Sequence, residues 1–310
     1  MKDGQKNEGA RGERRFGNLQ GTSIQKKALY LVQKETLTIK LDGPSLLIQE
    51  AGKASRWIPL RQLERVVLFG NMTLETSILC SLAEEGIPIL LINGKGSKPV
   101  MVSKIESRGV QKNTRQHFYF RRPPYTEEIN NWLISKRKSV ILKVFKKISP
   151  KLQKKLAKEG LSETRYMEII EHLKKNNPRW QILNGILRAM LLEFLLPLIE
   201  KAKLDPHCGV KNRGVDFGFA LDLCWVFEPE IHYQTMRFFK DPARRGGLPW
   251  FPSGDLLKEI VVRFEERRKF LLSEVNVLLD ELNDLLRQID GDVVPSLLRR
   301  RRSSAAQPDT

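Results

Sequence analysis

The sequence predicts an α+β fold, with a small β-rich N-terminal domain followed by a larger all-α C-terminal domain. Three observations carry this. Between residues 28 and 105 short apolar runs alternate with turn residues, as expected for short strands. Beyond Ser107 the apolar period lengthens from two to three or four, the period of helices. With 310 residues, 41% of them hydrophobic, the chain is long enough to bury one large core or two ordinary ones.

Residues 1–24 are rich in Gly, Lys and Arg, with almost nothing apolar, and are expected to form a disordered basic tail. The β-rich domain is placed at 25–106. Its strands are expected at 28–32, 37–39, 45–48, 57–59, 66–69, 87–92 and 99–105, separated by turns such as Asp42-Gly43, Gly70-Asn71 and Gly94-Lys95-Gly96. One helix over 74–85 interrupts them, with Ile78, Leu79, Leu82 and Ala83 as its buried stripe; Gly86 and Pro88 close it. A helical domain is placed at 107–290. Arg121-Arg122-Pro123-Pro124 reads as an extended, charged break, because the residue before a proline is pushed out of the helical region. Helices are expected over 127–148, 163–174, 179–203, 221–239 and 254–289, with Ser253 as N-cap of the last and Asp205-Pro206 stopping the third. Leu278, Leu282, Leu285 and Leu286 form a buried stripe on the last helix, and 291–310 is expected to be a second disordered basic tail.

Composition narrows the function. There are 54 basic against 36 acidic residues, a formal net charge of +18, clustered at Arg115–Arg122, Lys136–Lys158 and Arg299–Arg302. A polyphosphate partner releases counterions on meeting such a surface, so nucleic acid is the expected partner. The three cysteines, Cys80, Cys208 and Cys224, form no C-x-x-C pair, which argues against structural zinc and for a reducing, cytoplasmic setting. The most apolar run, 182–199, is broken by Asn184, Arg188, Glu193 and Pro197 and reads as a buried helix rather than a membrane span. The N-terminus carries no apolar signal region.

The four histidines form no His-Glu-x-x-His, and no Gly-rich phosphate loop, Gly-x-Ser-x-Gly elbow or dinucleotide fingerprint occurs, so nucleophilic hydrolase, kinase and dehydrogenase readings lack support. Asp222 stands out instead, a lone acid in the apolar run 217–227. A charge there is costly unless paired or metal-bound. It is either a buried acid satisfied by an arginine or by capping a helix start, or an oxygen ligand for a hard divalent cation such as magnesium or manganese.

A family resemblance joins these pieces. Val66-Val-Leu-Phe-Gly70-Asn-Met-Thr-Leu74, Ala83-Glu-Glu-Gly86-Ile-Pro-Ile89 and Gly94 resemble the N-terminal β domain of the CRISPR-associated integrase family. Leu204-Asp-Pro206, Gly209, Ala220-Leu-Asp222-Leu, Phe227 and Pro229 are similar to its C-terminal block, and Arg115-Gln116-His117 followed by a helix carrying Lys136 to its interdomain segment. The resemblance covers roughly residues 28–270 and rests on the order and spacing of the motifs. It implies a metal-dependent DNA endonuclease or integrase that inserts spacer DNA into CRISPR arrays in antiviral defence. It also implies homodimers joined to a second CRISPR adaptation protein and acting on double-stranded DNA. A glutamate, a histidine and an aspartate hold Mg2+ or Mn2+ in the family. The glutamate corresponds to Glu159 of Glu159-Gly160, with Tyr166 downstream, and the aspartate to Asp222.

The chain departs from the pattern at the other positions. Asn212 stands where the histidine belongs, Trp225 where a second acid belongs, and Glu228 where an arginine precedes the proline; the nearest histidine, His207, is five positions out of register. Asparagine offers magnesium a neutral carbonyl oxygen and exchanges no proton near neutral pH. Losing general acid–base assistance costs roughly a hundred- to ten-thousand-fold in rate. Lys211 adds a positive charge that suits a phosphate better than a cation. In the active reading, Glu159, Asn212 and Asp222 hold a divalent ion that polarises a scissile phosphate. Arg115, Arg121, Arg122, Lys136, Lys143, Arg165, Arg188 and Lys211 are the expected DNA contacts, which position a duplex without reading its sequence. The alternative is a catalytically lapsed relative that binds DNA as a structural subunit.

Overall fold

The computed structural model describes residues 26–93, 100–102, 114–174, 177–240 and 254–304. The tail expected over 1–24, the Gly94-Lys95-Gly96 turn, the domain boundary at 106–107 and the Ser253 cap lie outside those residues.

Seven strands form two sheets. The strands are β1 (Lys27–Val32), β2 (Leu37–Asp42), β3 (Ser45–Glu50), β4 (Arg56–Pro59), β5 (Leu63–Phe69), β6 (Ile89–Ile92) and β7 (Val100–Val102). Strands β2, β3 and β4 make an antiparallel meander, whose first hairpin pairs Asp42 with Ser45 across Gly43-Pro44. Gly43 has a φ of 55°, which the turn requires and a side chain disfavours. The second sheet has the order β1-β5-β6-β7, with β1, β5 and β6 parallel and β7 antiparallel. Parallel neighbours need a crossover, and helix α1 (Thr76–Glu84) supplies the one between β5 and β6.

Strand β5 explains how the sheet joins the rest of the molecule. Its sequence LERVVLF is apolar on both faces because both are covered. Val66 and Leu68 pack with Ile48, Ile78 and Leu82 in the small N-terminal core. Their neighbours Val67 and Phe69 point the other way, with Leu90 and Ile92, into the core of the helical lobe.

Helices α2 (Thr114–Arg121), α3 (Tyr125–Ile148), α4 (Pro150–Glu159), α5 (Glu163–Lys174), α6 (Pro178–Lys201), α7 (Gly218–Phe238) and α8 (Gly254–Ser304) build that lobe. The α+β class and the order of the two regions match the sequence expectation. Two helices were not expected. α4 begins on an Ser149 N-cap, whose hydroxyl accepts from the Leu152 N–H at 3.3 Å, with Pro150 in the first turn. α2 replaces part of what reads as an irregular segment before the proline pair. The disordered tail expected from 291 is also corrected, since α8 continues to Ser304. α6 is long and apolar enough to cross a membrane by length and composition, but 61% of that window is buried inside the fold.

Arg65 on β5 ties the sheet to the helices. It is 1% exposed and forms ion pairs with Glu193 of α6 at 2.9 Å and Glu265 of α8 at 2.5 Å. Tyr30 donates to the same Glu265 oxygen at 2.6 Å, and Arg268 pairs with Glu64 at the edge. Within the helical lobe, the Tyr166 hydroxyl lies 2.6 Å from His232 Nδ1, and both residues are buried. A neutral ring protonated on Nε2 accepts this bond. Burial, followed by the cations Arg137, Lys174 and Arg188, holds the His232 pKa down at about 4. Below pH 6.5 the unfolded chain therefore binds a proton that the folded chain refuses. Stability attributable to His232 is complete above the unfolded pKa and falls as pH drops from 6.5 toward 4, by about 3 kcal/mol in total. Urea melts of wild type and His232→Gln across this range are expected to show the slope in the first and its loss in the second.

Candidate functional site

The site is built on the loop between α6 and α7, which carries most of the residues singled out in the C-terminal block. α2 clasps the loop's start. Gln116 donates to the carbonyls of Asp205 (3.0 Å) and Cys208 (3.2 Å) and accepts from the Asp205 N–H (2.7 Å), while His117 Nε2 lies 2.7 Å from the Asp205 carboxylate. Burial raises the Asp205 carboxyl, but the His207 backbone N–H and His117 outweigh it and hold the pKa below the usual range. Gln116 and His117 therefore act as a scaffold for the loop.

Two glycines let the loop close on α7. A Cβ on Gly209 would meet the Gly218 carbonyl carbon at 2.5 Å, and one on Gly218 would meet the Asn212 carbonyl oxygen at 2.2 Å. Both distances are far inside van der Waals contact, so only glycine fits. Phe217 sits at a φ of 59°, a left-handed conformation. Its N–H donates to His207 Nδ1 at 3.1 Å and its ring lies 4.5 Å from the imidazole, which offsets the backbone cost. The Nδ1 of His207 is thus committed to the loop.

Asp222, on the first turns of α7, is fully buried and anchors the loop from inside. One oxygen accepts the Val210 N–H at 2.6 Å and the Lys211 N–H at 3.2 Å. The other accepts the Asn212 N–H at 3.0 Å and its side-chain amide at 2.8 Å. The acid that sequence alone left as either a satisfied core group or a metal ligand is satisfied, by four N–H groups ten to twelve residues upstream.

One turn along α7, the Trp225 ring lies between two cations. Lys211 Nζ is 4.2 Å from its centroid, and the Arg137 guanidinium is 4.6 Å from it. Arg137, on α3 and 1% exposed, also stacks on Tyr166, donates to the Trp225 carbonyl, and pairs with Glu163 (2.7 Å) and Glu228 (3.1 Å). Nothing in the sequence marks Arg137 out from the neighbouring lysines, because its partners are 26 to 91 residues away. The swap of the family's arginine for Glu228 gives it a carboxylate to meet.

Glu159 is on neither the loop nor α7. It ends α4, its side chain is 52% exposed, and its ion pair is with Lys155 at 3.8 Å. No contact joins it to Asp222 or Asn212 among the described residues. The residues present do not fit a divalent cation. Both Asp222 oxygens face N–H donors, two cations flank the Trp225 position, and no three His, Cys, Asp or Glu side chains converge among the described residues.

In front of the loop opens a cavity of about 710 Å³, between the start of α3, α6, the loop and α7. Arg188, Lys211, Arg213, Asn212, Trp225 and Glu127 line it. Of the expected DNA contacts, Arg188 and Lys211 meet here. The others spread over the surface. Arg115 pairs with Asp290 (2.9 Å), Lys143 with Glu274 (2.5 Å), Lys136 with Glu281 and Arg165 with Glu168 (3.8 Å), while Arg122 lies over the Phe118 ring and Arg121 is exposed beside Cys208. The Lys136 and Lys143 pairs bridge α3 to α8. Arg213, also in the lining, is not among the contacts expected from the sequence.

Comparison with known proteins gives a consistent picture. The family model described as CRISPR associated protein Cas1 matches residues 29–186. A CRISPR-associated endonuclease Cas1 from Thermodesulfovibrio yellowstonii is 38% identical over 64 residues, which are 21% of this chain and 20% of the relative's length. The chain therefore spans a fifth of that relative in the match. Among solved structures, a Cas1 protein from Thermotoga maritima superposes with a TM-score of 0.64 at 17% identity, covering 86% of this chain and 97% of the other. A casposase bound to integration product superposes with a TM-score of 0.56 at 14% identity, covering 77% and 82%. At such identities these two similarities speak for the fold.

Proposed function

The chain belongs to the Cas1 family of CRISPR-associated proteins, and from that premise we propose that it is a DNA-binding subunit of the CRISPR adaptation machinery that works without a metal of its own. The observation that carries this reading is the full commitment of Asp222 to the loop N–H groups. The acid of the Leu-Asp-Leu element builds the floor of the site and has no oxygen left to give a cation. The side chains around it are cationic where ligands belong.

Double-stranded DNA as partner is supported by the +18 charge and by the exposed lysines of α4, namely Lys151, Lys154, Lys155 and Lys158. Homodimers and a second adaptation protein enter through family membership. Catalytic integration, the reading in which Glu159, Asn212 and Asp222 share Mg2+ or Mn2+, is favoured by the sequence motif and by the endonuclease name of the curated relative.

Two assays on the full chain separate the readings. In the first, anisotropy titrations of a labelled duplex over a salt series are expected to give tight, steeply salt-dependent binding that EDTA leaves unchanged. In the second, a short duplex and a repeat-bearing plasmid are incubated with Mg2+ or Mn2+, and no cleaved or joined product is expected. Product that disappears in Glu159→Ala would reinstate the integrase. A chain that gains product only on Asn212→His would agree with the proposal and trace the lost activity to that position.

A further inference from the structure

We propose that the cavity in front of the Asp222 loop binds a phosphate group directly, through Lys211, Arg213 and Arg188, with no metal between. This deepens the DNA-binding reading by naming the group contacted and the side chains that contact it, and it rests on Asp222 being committed to the loop. Three cations line the cavity against one carboxylate, Glu127. Neither Lys211 nor Arg213 has an ion-pair partner among the described residues. Arg213 Nε donates to the Val210 carbonyl at 3.1 Å, which fixes the guanidinium and leaves its terminal nitrogens for a ligand. Arg188 lies 3.9 Å from Glu228, a long contact, and Arg137 already holds that carboxylate at 3.1 Å.

The cations are also held in place. Lys211 rests on the Trp225 face at 4.2 Å, and the Arg137 guanidinium, 4.6 Å from the same ring, keeps that ring from turning. The loop carrying Lys211 and Arg213 is pinned from behind by Asp222 and closed by the Gly209–Gly218 approach. Ordering cost is therefore met before the ligand arrives, the condition for tight binding by few contacts. At about 710 Å³ the space admits a nucleotide unit around the phosphate, within the usual range for small-ligand sites.

The phosphate has three possible sources, a strand end, an internal phosphodiester or a free anion, and one set of experiments distinguishes them. The full chain in EDTA is titrated with a 5′-phosphorylated duplex and with the same duplex lacking that phosphate, over a salt series, with and without sodium phosphate at constant ionic strength. The double variant Lys211→Ala/Arg213→Ala is expected to bind about tenfold more weakly, with a salt slope smaller by about two. It is also expected to lose the competition by inorganic phosphate seen in wild type. Lys211→Arg is expected to restore most of the binding. Lys151→Ala/Lys154→Ala on α4 should weaken DNA binding and keep the phosphate competition. A loss confined to the phosphorylated duplex assigns the cavity to a strand end, and an equal loss with both assigns it to the backbone. Lost phosphate competition with unchanged DNA binding assigns it to a free anion. If the double variant keeps wild-type affinity, slope and competition, the phosphate site is wrong while the DNA-binding reading stands. A metal-dependent product from wild type would remove that reading instead.

Discussion

Replacing Asp222 with alanine is expected to destabilise the protein by about 4 kcal/mol, and to do so equally in EDTA and in Mg2+. The carboxylate accepts four N–H groups, and hydrogen bonds to a charged acceptor are worth roughly 1.5–3 kcal/mol each. The sum is discounted because Lys211 and Asn212 are at the surface, where water replaces part of what is lost. Val210, 6% exposed, has no such recourse. At roughly 2 °C per kcal/mol for a chain of this length, the melting temperature should fall by about 8 °C. Asp222→Asn should fall between, since one oxygen remains while the new amide faces N–H donors. An Asp222 variant that loses DNA-related function would thus report a collapsed loop, not a missing cation. Thermal melts with and without metal decide the point, because a true ligand would show extra wild-type stability in metal that the variant lacks.

The second large effect is expected at the junction of sheet and helices. Arg65→Ala removes the ion-pair partner of Glu193, whose side chain is 4% exposed, and leaves only the more distant Arg268 to offset its charge. Breaking a buried pair in this way costs about 3–5 kcal/mol. Burial raises the Glu193 pKa to about 7 even with Arg65 present, so without the guanidinium the carboxyl moves higher still. A carboxyl raised above its unfolded value favours the fold at low pH and loses that contribution as pH rises through the folded pKa. The cost of Arg65→Ala should therefore be smaller at pH 5 than at pH 8, as read from urea midpoints. The paired change Arg65→Met/Glu193→Leu should recover most of the loss, because two apolar side chains of similar size replace two costly desolvations. Additive losses in the pair would show that the two side chains are not coupled.

What the sequence shows and what it hides follow from how far apart the partners are. The Asp42-Gly43 hairpin and the α1 stripe are local patterns, and both appear where the residues place them. The parallel pairing of β1 with β5 joins segments 36 residues apart at Lys27 and Leu63, and no local signal encodes it. α4 hid behind its lysines, although Ser149-Pro150 is a helix-start signature in plain view. At the site, the apolar run around Asp222 showed that the acid needs partners. Three of the four are backbone N–H groups, which have no side-chain signature. Trp225 and Glu228 read only as departures from a family pattern. Their meaning comes from Arg137, on α3 and 88 and 91 residues away, which donates to the Trp225 carbonyl and the Glu228 carboxylate.

The Asp222 loop is proposed to be a finished structural unit that leaves no place for a divalent ion. Manganese titrated into the full chain, with and without duplex DNA and followed by electron paramagnetic resonance, tests it most directly. The expected result is free Mn2+ with protein alone and, with duplex present, no bound Mn2+ beyond what the same DNA holds by itself, with the same trace for wild type, Glu159→Ala and Asn212→Ala. One saturable Mn2+ per chain that vanishes in Glu159→Ala would contradict the account and return Asp222 to the role of ligand.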